Sequence, residues 1–299
     1  MTFERLKEGD RVGIVAPASA VSETDISGGR SWLESLGFRV RVGASIGQRD
    51  RFLAGSDDAR ASDLLEMFAD PEVRAIFTAR GGYGSSRMLD RIDWETVKGN
   101  PKPFVGFSDT TALQLGMYTR AGLPSLTGLA LRTDAREGEV DDTVSRDLLT
   151  ALREGTFAPV DGLEHDRTLS GVLVGGCLSL VVHLLGTPYF PDLTGHVLLI
   201  EDVAEAPYRV DRMLTQLHLS RVLEKASGCA VGIFHRCEGD DEDGTIDEVI
   251  AEFAERCPCP LVRGVPYGHQ PSRRVLPIGA HVSVVDGVMT FGKGTGWKS

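Results

Sequence analysis

The amino-acid sequence predicts an α/β protein: a parallel sheet covered on both faces by helices, followed by a second and smaller α/β unit. Three features carry that expectation. Short apolar runs without polar alternation, such as Val12-Gly13-Ile14-Val15 and Ala75-Ile76-Phe77, have the pattern of strands buried on both faces. Helical patterns alternate with them at the spacing of βαβ units. The composition then shifts: charge is dense from Arg132 to Asp147, and turn residues crowd Phe157 to Gly162 before a second alternating series begins. A first domain is therefore expected over residues 1–140, a linker over 141–168 and a second domain over 169–299.

Taken in order, Arg11 to Ala16 is a strand that Pro17 terminates. Ser22-Glu23-Thr24-Asp25 starts a helix running through Trp32, Leu33 and Leu36 to a stop at Gly37. Phe38 to Val42 is the second strand. A helix capped by Ser56 or Asp57 covers Ala59 to Phe68 and ends at Asp70-Pro71. Ala75 to Ala79 is the third strand and leads into Arg80-Gly81-Gly82-Tyr83-Gly84-Ser85. A short helix and the Asn100-Pro101-Lys102-Pro103 turn precede a fourth strand, Phe104-Val105-Gly106-Phe107, which stops at Ser108. A helix from Asp109 to Arg120 follows, marked by Leu113, Met117 and Tyr118, and Leu123 to Leu126 is one more strand. The charged segment holds a linking helix, Thr143 to Glu154. The second series has strands at Gly171 to Val174, His196 to Ile200, Cys229 to Phe234 and Leu261 to Val265. Its helices are Leu178 to Leu185, Tyr208 to Leu219 and Ile246 to Glu255. Short alternating runs from Val275 to Phe291 turn at Asp286-Gly287, a hairpin signal.

With 299 residues, 41% hydrophobic and 25% charged, the chain has ample material for a core. A net charge of −11 and a pI near 5.2 argue against a nucleic-acid or anionic-membrane surface. No run reaches bilayer length and the first seven residues hold no apolar signal region, so a cytoplasmic location is expected. Five cysteines, an odd number, suit reduced thiols. Cys257-Pro258-Cys259 is too closely spaced for a C-x-x-C pair, and Cys177 and Cys229 sit among apolar residues as core would. Aligning Gly244 with the glycine of a calcium loop puts Gly239 and Ile250 at ligand positions, so Glu238 to Gly244 is expected to be a solvated acidic loop.

Chemistry concentrates at strand ends. A serine that ends a strand and opens a helix, as Ser108 does, stands above the carboxyl edge of the sheet beside the first helical N–H groups. That suits a nucleophile whose oxyanion must be held; the competing reading is a helix cap. Arg80-Gly81-Gly82-Tyr83-Gly84 also follows a strand. It could cradle a phosphate, although Gly82-x-Gly84-x-x-Arg87 lacks the third glycine of the dinucleotide fingerprint. It could instead present N–H groups to the Ser108 site, or be a plain glycine turn. Glu201, at another strand end, could orient an imidazolium, against a reading of Glu201 and Asp202 as ordinary acids. His269, on the turn Pro266-Tyr267-Gly268-His269, is the histidine best placed for a general base, against an ordinary surface histidine. His183 and His218, on helices among apolar neighbours, are expected to be packed. The order Ser, acid, His occurs among hydrolases but does not identify one.

Several motifs occur together, in order, over almost the whole chain. They are Gly13-Ile14-Val15-Ala16-Pro17-Ala18-Ser19, Arg80-Gly81-Gly82-Tyr83-Gly84, Gly106-Phe107-Ser108-Asp109, Gly175-Gly176, Ile200-Glu201-Asp202-Val203, Pro207-Tyr208-Arg209-Val210-Asp211-Arg212-Met213-Leu214 and Gly264-Val265-Pro266-Tyr267-Gly268-His269. With them the chain resembles the LD-carboxypeptidase family of serine peptidases, which includes muropeptide carboxypeptidases and microcin-C immunity hydrolases. The resemblance implies Ser108 as nucleophile, His269 as general base and Glu201 as its orienting acid. It implies an oxyanion hole from the N–H groups of Asp109 and Gly82, or of the neighbouring Gly81. It further implies a flavodoxin-like N-terminal domain, a smaller C-terminal α/β domain, a site between them and a homodimer. The implied reaction is hydrolysis, without metal or other cofactor, of an amide joining an L-centre to a terminal D-amino acid. Three departures stand out. Many members have Asn at the position of Cys177, and a His-Gly-Pro-like turn where this chain has Thr127-Gly128-Leu129. His218-Leu219-Ser220 stands where a glycine often follows. The first two could alter the substrate pocket.

The expected function is release of D-alanine from muropeptide tetrapeptides in cell-wall recycling, with a small peptide or muropeptide as partner and neither nucleic acid nor membrane. A second expectation keeps the triad and changes the substrate to peptidyl-nucleotide antibiotics. Trp32, Trp94 and Trp297 do not obviously supply the aromatic lining that would need. A third is a non-catalytic two-domain module binding a phosphate through Arg80 to Gly84. A carboxypeptidase also needs a cation for the substrate carboxylate; Arg80, Arg209, Arg273 and Arg274 are the candidates, and the sequence does not rank them.

Overall fold

The computed structural model describes residues 2–239, 244–292 and 296–297. Asp240 to Asp243, in the expected acidic loop, lie outside them. Two sheets organise the described residues. In the first, Arg39–Val42, Arg11–Val15, Val73–Thr78, Phe104–Gly106 and Ser125–Thr127 run parallel in that spatial order. Leu276–Ile278 closes the edge, antiparallel to Ser125–Thr127. A segment from late in the chain thus completes the sheet that carries Ser108. In the second sheet Leu169–Cys177, His196–Glu201, Gly228–Val231 and Leu261–Arg263 run parallel. The hairpin His281–Val285/Val288–Phe291 flanks one side and Glu164–His165 the other, both antiparallel. The expected α/β class is the one observed.

Local signals account for most elements. The Ser22 hydroxyl accepts the Asp25 N–H while the Asp25 carboxylate accepts the Ser22 N–H, a capping box that opens the helix Glu23–Ser35. Its buried residues, Ile26, Gly29, Trp32 and Leu33, recur at helical spacing, with Gly29 against Leu131. Thr245 and Glu248 repeat the device at the helix Ile246–Arg256. Asp286 and Gly287 both take left-handed φ, as a two-residue hairpin turn requires. The linking helix is present as Asp142–Glu154, capped by Asp141, and it buries Leu148 and Leu152 in the core of the first sheet.

Two expectations are corrected. The segment after Ser108 is not one regular helix: a 3-10 turn, Ser108–Thr110, enters an α-helix, Thr111–Gly116, that relaxes into a π turn, Met117–Ala121. The Thr119 hydroxyl donates to the Leu115 carbonyl at 2.8 Å, drawing an acceptor out of the regular ladder where the pitch changes. His183 and His218 are exposed, because the buried faces of their helices are formed by Leu178 and Val181 and by Val210, Leu214 and Leu217.

The sheets are joined by polar as well as apolar contacts. Tyr118 Oη lies 2.8 Å from His196 Nε2, Thr127 Oγ1 lies 2.7 Å from Tyr267 Oη, and Arg274 Nε donates to Asp147 at 2.6 Å. Among the described residues no helix is long and apolar enough to cross a membrane.

Candidate active site

The Phe104–Gly106 strand is wholly buried and continues extended through Phe107. The chain then reverses at Ser108, whose φ of 63° is left-handed, a conformation that costs a side chain about 1 kcal/mol. Such strain persists only where its surroundings fix it. Here a Cβ on Gly106 would meet Thr110 Oγ1 at 2.5 Å, so the elbow can fold tightly only over glycine. Thr110 Oγ1 donates back to the Phe107 carbonyl at 3.0 Å.

The Arg80 to Gly84 loop is fastened to that elbow. The buried Asp109 carboxylate accepts the N–H groups of Gly84 at 3.3 Å and Ser85 at 2.9 Å, while Ser85 Oγ donates to the Asp109 carbonyl at 2.6 Å. Burial pushes the Asp109 carboxyl up, with the Ser85 and Gly84 hydrogen bonds acting against it. Arg60, fully buried, donates to the Pro17 and Gly84 carbonyls and pairs with Asp57. A Cβ on Gly81 would come within 2.9 Å of Ser108 Cβ and 3.1 Å of the Asp109 nitrogen, so only glycine lets the loop pass so near the serine. Gly82, at φ 103°, turns the chain beside it, where a Cβ would overlap Ser19 Oγ. That hydroxyl accepts the Tyr83 N–H at 3.1 Å. The N–H groups of Tyr83, Gly84 and Ser85 are thus engaged within the protein.

The second sheet supplies an acid and a base. Glu201 ends its strand with no exposed surface, and its Oε2 lies 2.7 Å from His269 Nδ1. A carboxylate only accepts, so Nδ1–H donates and Nε2 is left as the acceptor. Burial pushes the Glu201 carboxyl up, and the hydrogen bond from His269 works against that rise. Among the described residues, Oε1 of Glu201 is buried without a partner. The His269 ring packs on Phe107, centroids 4.4 Å apart, and Phe107 directly precedes Ser108. Phe107 also meets the edge of Tyr267 and the guanidinium of Arg273. Glu201 and His269 are therefore paired, and the His269 ring packs on the residue that directly precedes Ser108.

The other candidates separate. Arg273 is buried, paired with Asp134 at 2.5 Å and donating to the Gly128 carbonyl, and Arg274 pairs with Asp147. Arg209 is exposed beside Glu205 and Tyr208, and no contact joins it to Ser108, Glu201 or His269. Arg80 is partly buried beside Gly82. The departures at Cys177 and Thr127 fall on joints. Cys177 is buried in register with Glu201, its Sγ 3.4 Å from Asp202 Oδ1, and Thr127 holds Tyr267. The buried carboxylates of Asp109 and Asp202, and Ser19, had no sequence-level assignment. All three stand just beyond the carboxyl ends of strands, the one signal the sequence held for them.

Comparison with known proteins follows the same division. The model of the LD-carboxypeptidase N-terminal domain matches residues 12–128, and that of the C-terminal domain matches 170–284. A "Probable murein peptide carboxypeptidase" of Bacillus subtilis (strain 168) is 35% identical over 93% of this chain and 90% of its own. The crystal structure of a muramoyltetrapeptide carboxypeptidase from Oxalobacter formigenes superposes with a TM-score of 0.84 at 28% identity, covering 97% of this chain and 100% of that one. MccF, in complex with glutamyl sulfamoyl guanosine, superposes at 0.89 with 21% identity and 99% of both chains, a likeness of fold alone. The chain belongs to the LD-carboxypeptidase family of serine-type hydrolases.

Proposed function

We propose that this protein hydrolyses the amide between an L-centre and a terminal D-alanine, acting on muropeptide tetrapeptides in cell-wall recycling, with Ser108, His269 and Glu201 as its triad. The observation that carries the reading is the Glu201–His269 hydrogen bond at 2.7 Å, with the histidine ring packed at a tilt on the residue before a strained serine. His269 Nε2 takes the proton of Ser108 Oγ as that oxygen attacks the scissile carbonyl carbon. The N–H groups of Gly82 and Asp109 receive the developing oxyanion. The imidazolium, stabilised by Glu201, gives its proton to the leaving amine, and D-alanine departs. Water, deprotonated by His269, then releases the acyl group from Ser108. The enzyme works in the cytoplasm as a homodimer, with the domain limits expected above save that Leu276–Ile278 returns to the first sheet.

The test is D-alanine release from a muropeptide tetrapeptide by the wild type and by Ser108→Ala. Release by the wild type alone is expected; equal release by the variant would overturn the assignment of Ser108. A second reading, hydrolysis of peptidyl-nucleotides, is favoured by one feature. Tyr83, next to Gly82, is exposed and meets exposed Phe52 with ring centroids 5.5 Å apart, a ledge on which a base could stack. Faster turnover of a peptidyl-nucleotide than of the tetrapeptide would move the substrate to that class.

A further inference from the structure

We propose that Arg80, with Ser19 beside it, is the site that receives the free carboxylate of the substrate; this rests on the reading of Ser108 as the nucleophile. A carboxypeptidase draws a terminal carboxylate out of water and must offer it charge-assisted donors. The cations at and around the elbow are nearly all occupied. Arg60 serves Asp57 and two carbonyls, Arg273 serves Asp134, Gly128 and Gln270, and Arg274 serves Asp147 and the Ala158 and Pro159 carbonyls.

Arg80 is different. It is partly buried, yet among the described residues its guanidinium makes no hydrogen bond or ion pair. Burial lowers its pKa, the nearby Arg132 acts in the same direction, and Asp25 only partly compensates because Arg132 holds it at 3.0 Å. Its donors are thus partly withdrawn from water and, among the described residues, have no acceptor, an arrangement that favours an arriving anion.

Its position fits such an anion. Nη2 of Arg80 lies 3.4 Å from where a Cβ of Gly82 would stand, so it flanks the residue proposed to hold the oxyanion. In the substrate the carboxylate sits on the carbon bonded to the scissile nitrogen, about 4 Å beyond the carbonyl under attack. Ser19 Oγ occupies the same side of Gly82. Its oxygen already accepts the Tyr83 N–H, so its hydroxyl hydrogen is available to donate. Glycine at 82 leaves room beside the two donors, and glycine at 81 leaves room beside Ser108.

The test measures binding as well as turnover, so that the two readings fail separately. An N-acylated peptide ending in an L-centre and D-alanine, and the same peptide as its C-terminal carboxamide, are titrated into Ser108→Ala and into Ser108→Ala/Arg80→Gln. The expected result is that Ser108→Ala binds the acid about 100-fold more tightly than the amide, and that Arg80→Gln brings this ratio below about 5. Arg80→Lys should restore part of the preference, and Ser19→Ala should lower it about tenfold. A ratio unchanged by Arg80→Gln, or equal losses for acid and amide, would overturn the assignment of Arg80. Persisting turnover in Ser108→Ala would instead sink the nucleophile, whatever the binding ratio.

Discussion

The two walls of the site are built by different physics. The wall from the first sheet is held by the backbone: a left-handed serine, a glycine that lets a loop pass within contact of it, and N–H groups tied to a buried aspartate. The wall from the second sheet is held by side chains: one short hydrogen bond, a buried carboxylate and a tilted ring contact. The first kind of wall fixes where Ser108 and the groups proposed to hold the oxyanion stand. The second fixes how the His269 ring is turned. Substitutions in the first should therefore act through geometry and strain, and substitutions in the second through charge and pH.

The largest expected effect is at the nucleophile. Ser108→Ala should lower kcat about 10⁶-fold in D-alanine release, with the fold intact by circular dichroism. Ser108→Gly should be equally inactive, but more stable than Ser108→Ala by about 1 kcal/mol in thermal unfolding, since it removes the Cβ at positive φ. Equal stability of the two would mean that the elbow is not strained.

On the opposite wall, Glu201→Gln should lower kcat about 10⁴-fold with little change in KM. Its stability effect has a definite sign. Burial raises the folded carboxyl pKa above the unfolded one, so the folded state keeps the proton longer and loses stability as pH rises past about 4.3. Replacing the carboxyl by an amide should therefore raise Tm relative to wild type more at pH 8 than at pH 4. A difference in Tm that shrinks between pH 4 and pH 8 would contradict the assigned cause.

Smaller effects return to the first wall. Gly81→Ala should cost about 100-fold in kcat, because the loop must withdraw from Ser108 and carries the oxyanion donor with it. Asp109→Asn should cost about tenfold, since the amide still offers one acceptor to the N–H groups of Gly84 and Ser85. If Gly81→Ala and Asp109→Asn shifted the pH profile rather than its height, the contrast between the two walls would be wrong.

Much of this was legible in the sequence, for identifiable reasons. Continuous apolar runs and cap residues place the strands and helices, and strand ends single out Ser108, Glu201 and His269 because parallel sheets present their chemistry there. Contacts of long sequence separation were hidden. Nothing local to Leu276–Ile278 shows that it will pair with Ser125–Thr127, or that Arg273 and Arg274 will be used up by Asp134 and Asp147. Charge alone made those arginines look equivalent to Arg80; only their partners separate them. The histidines on the helices misled because apolar neighbours in sequence are not neighbours in space, and one position on a helix turns a side chain by about 100°.

The most direct test of the account is whether the two walls act as one catalytic unit. D-alanine release would be measured for the wild type, Glu201→Gln, Ser108→Ala and the double variant at saturating substrate. The account predicts that Glu201→Gln costs about 10⁴-fold when Ser108 is present and less than about threefold when it is absent, because the acid acts only through the histidine on the serine. An equal loss in both backgrounds would contradict it, and would mean that Glu201 and His269 serve the reaction without Ser108.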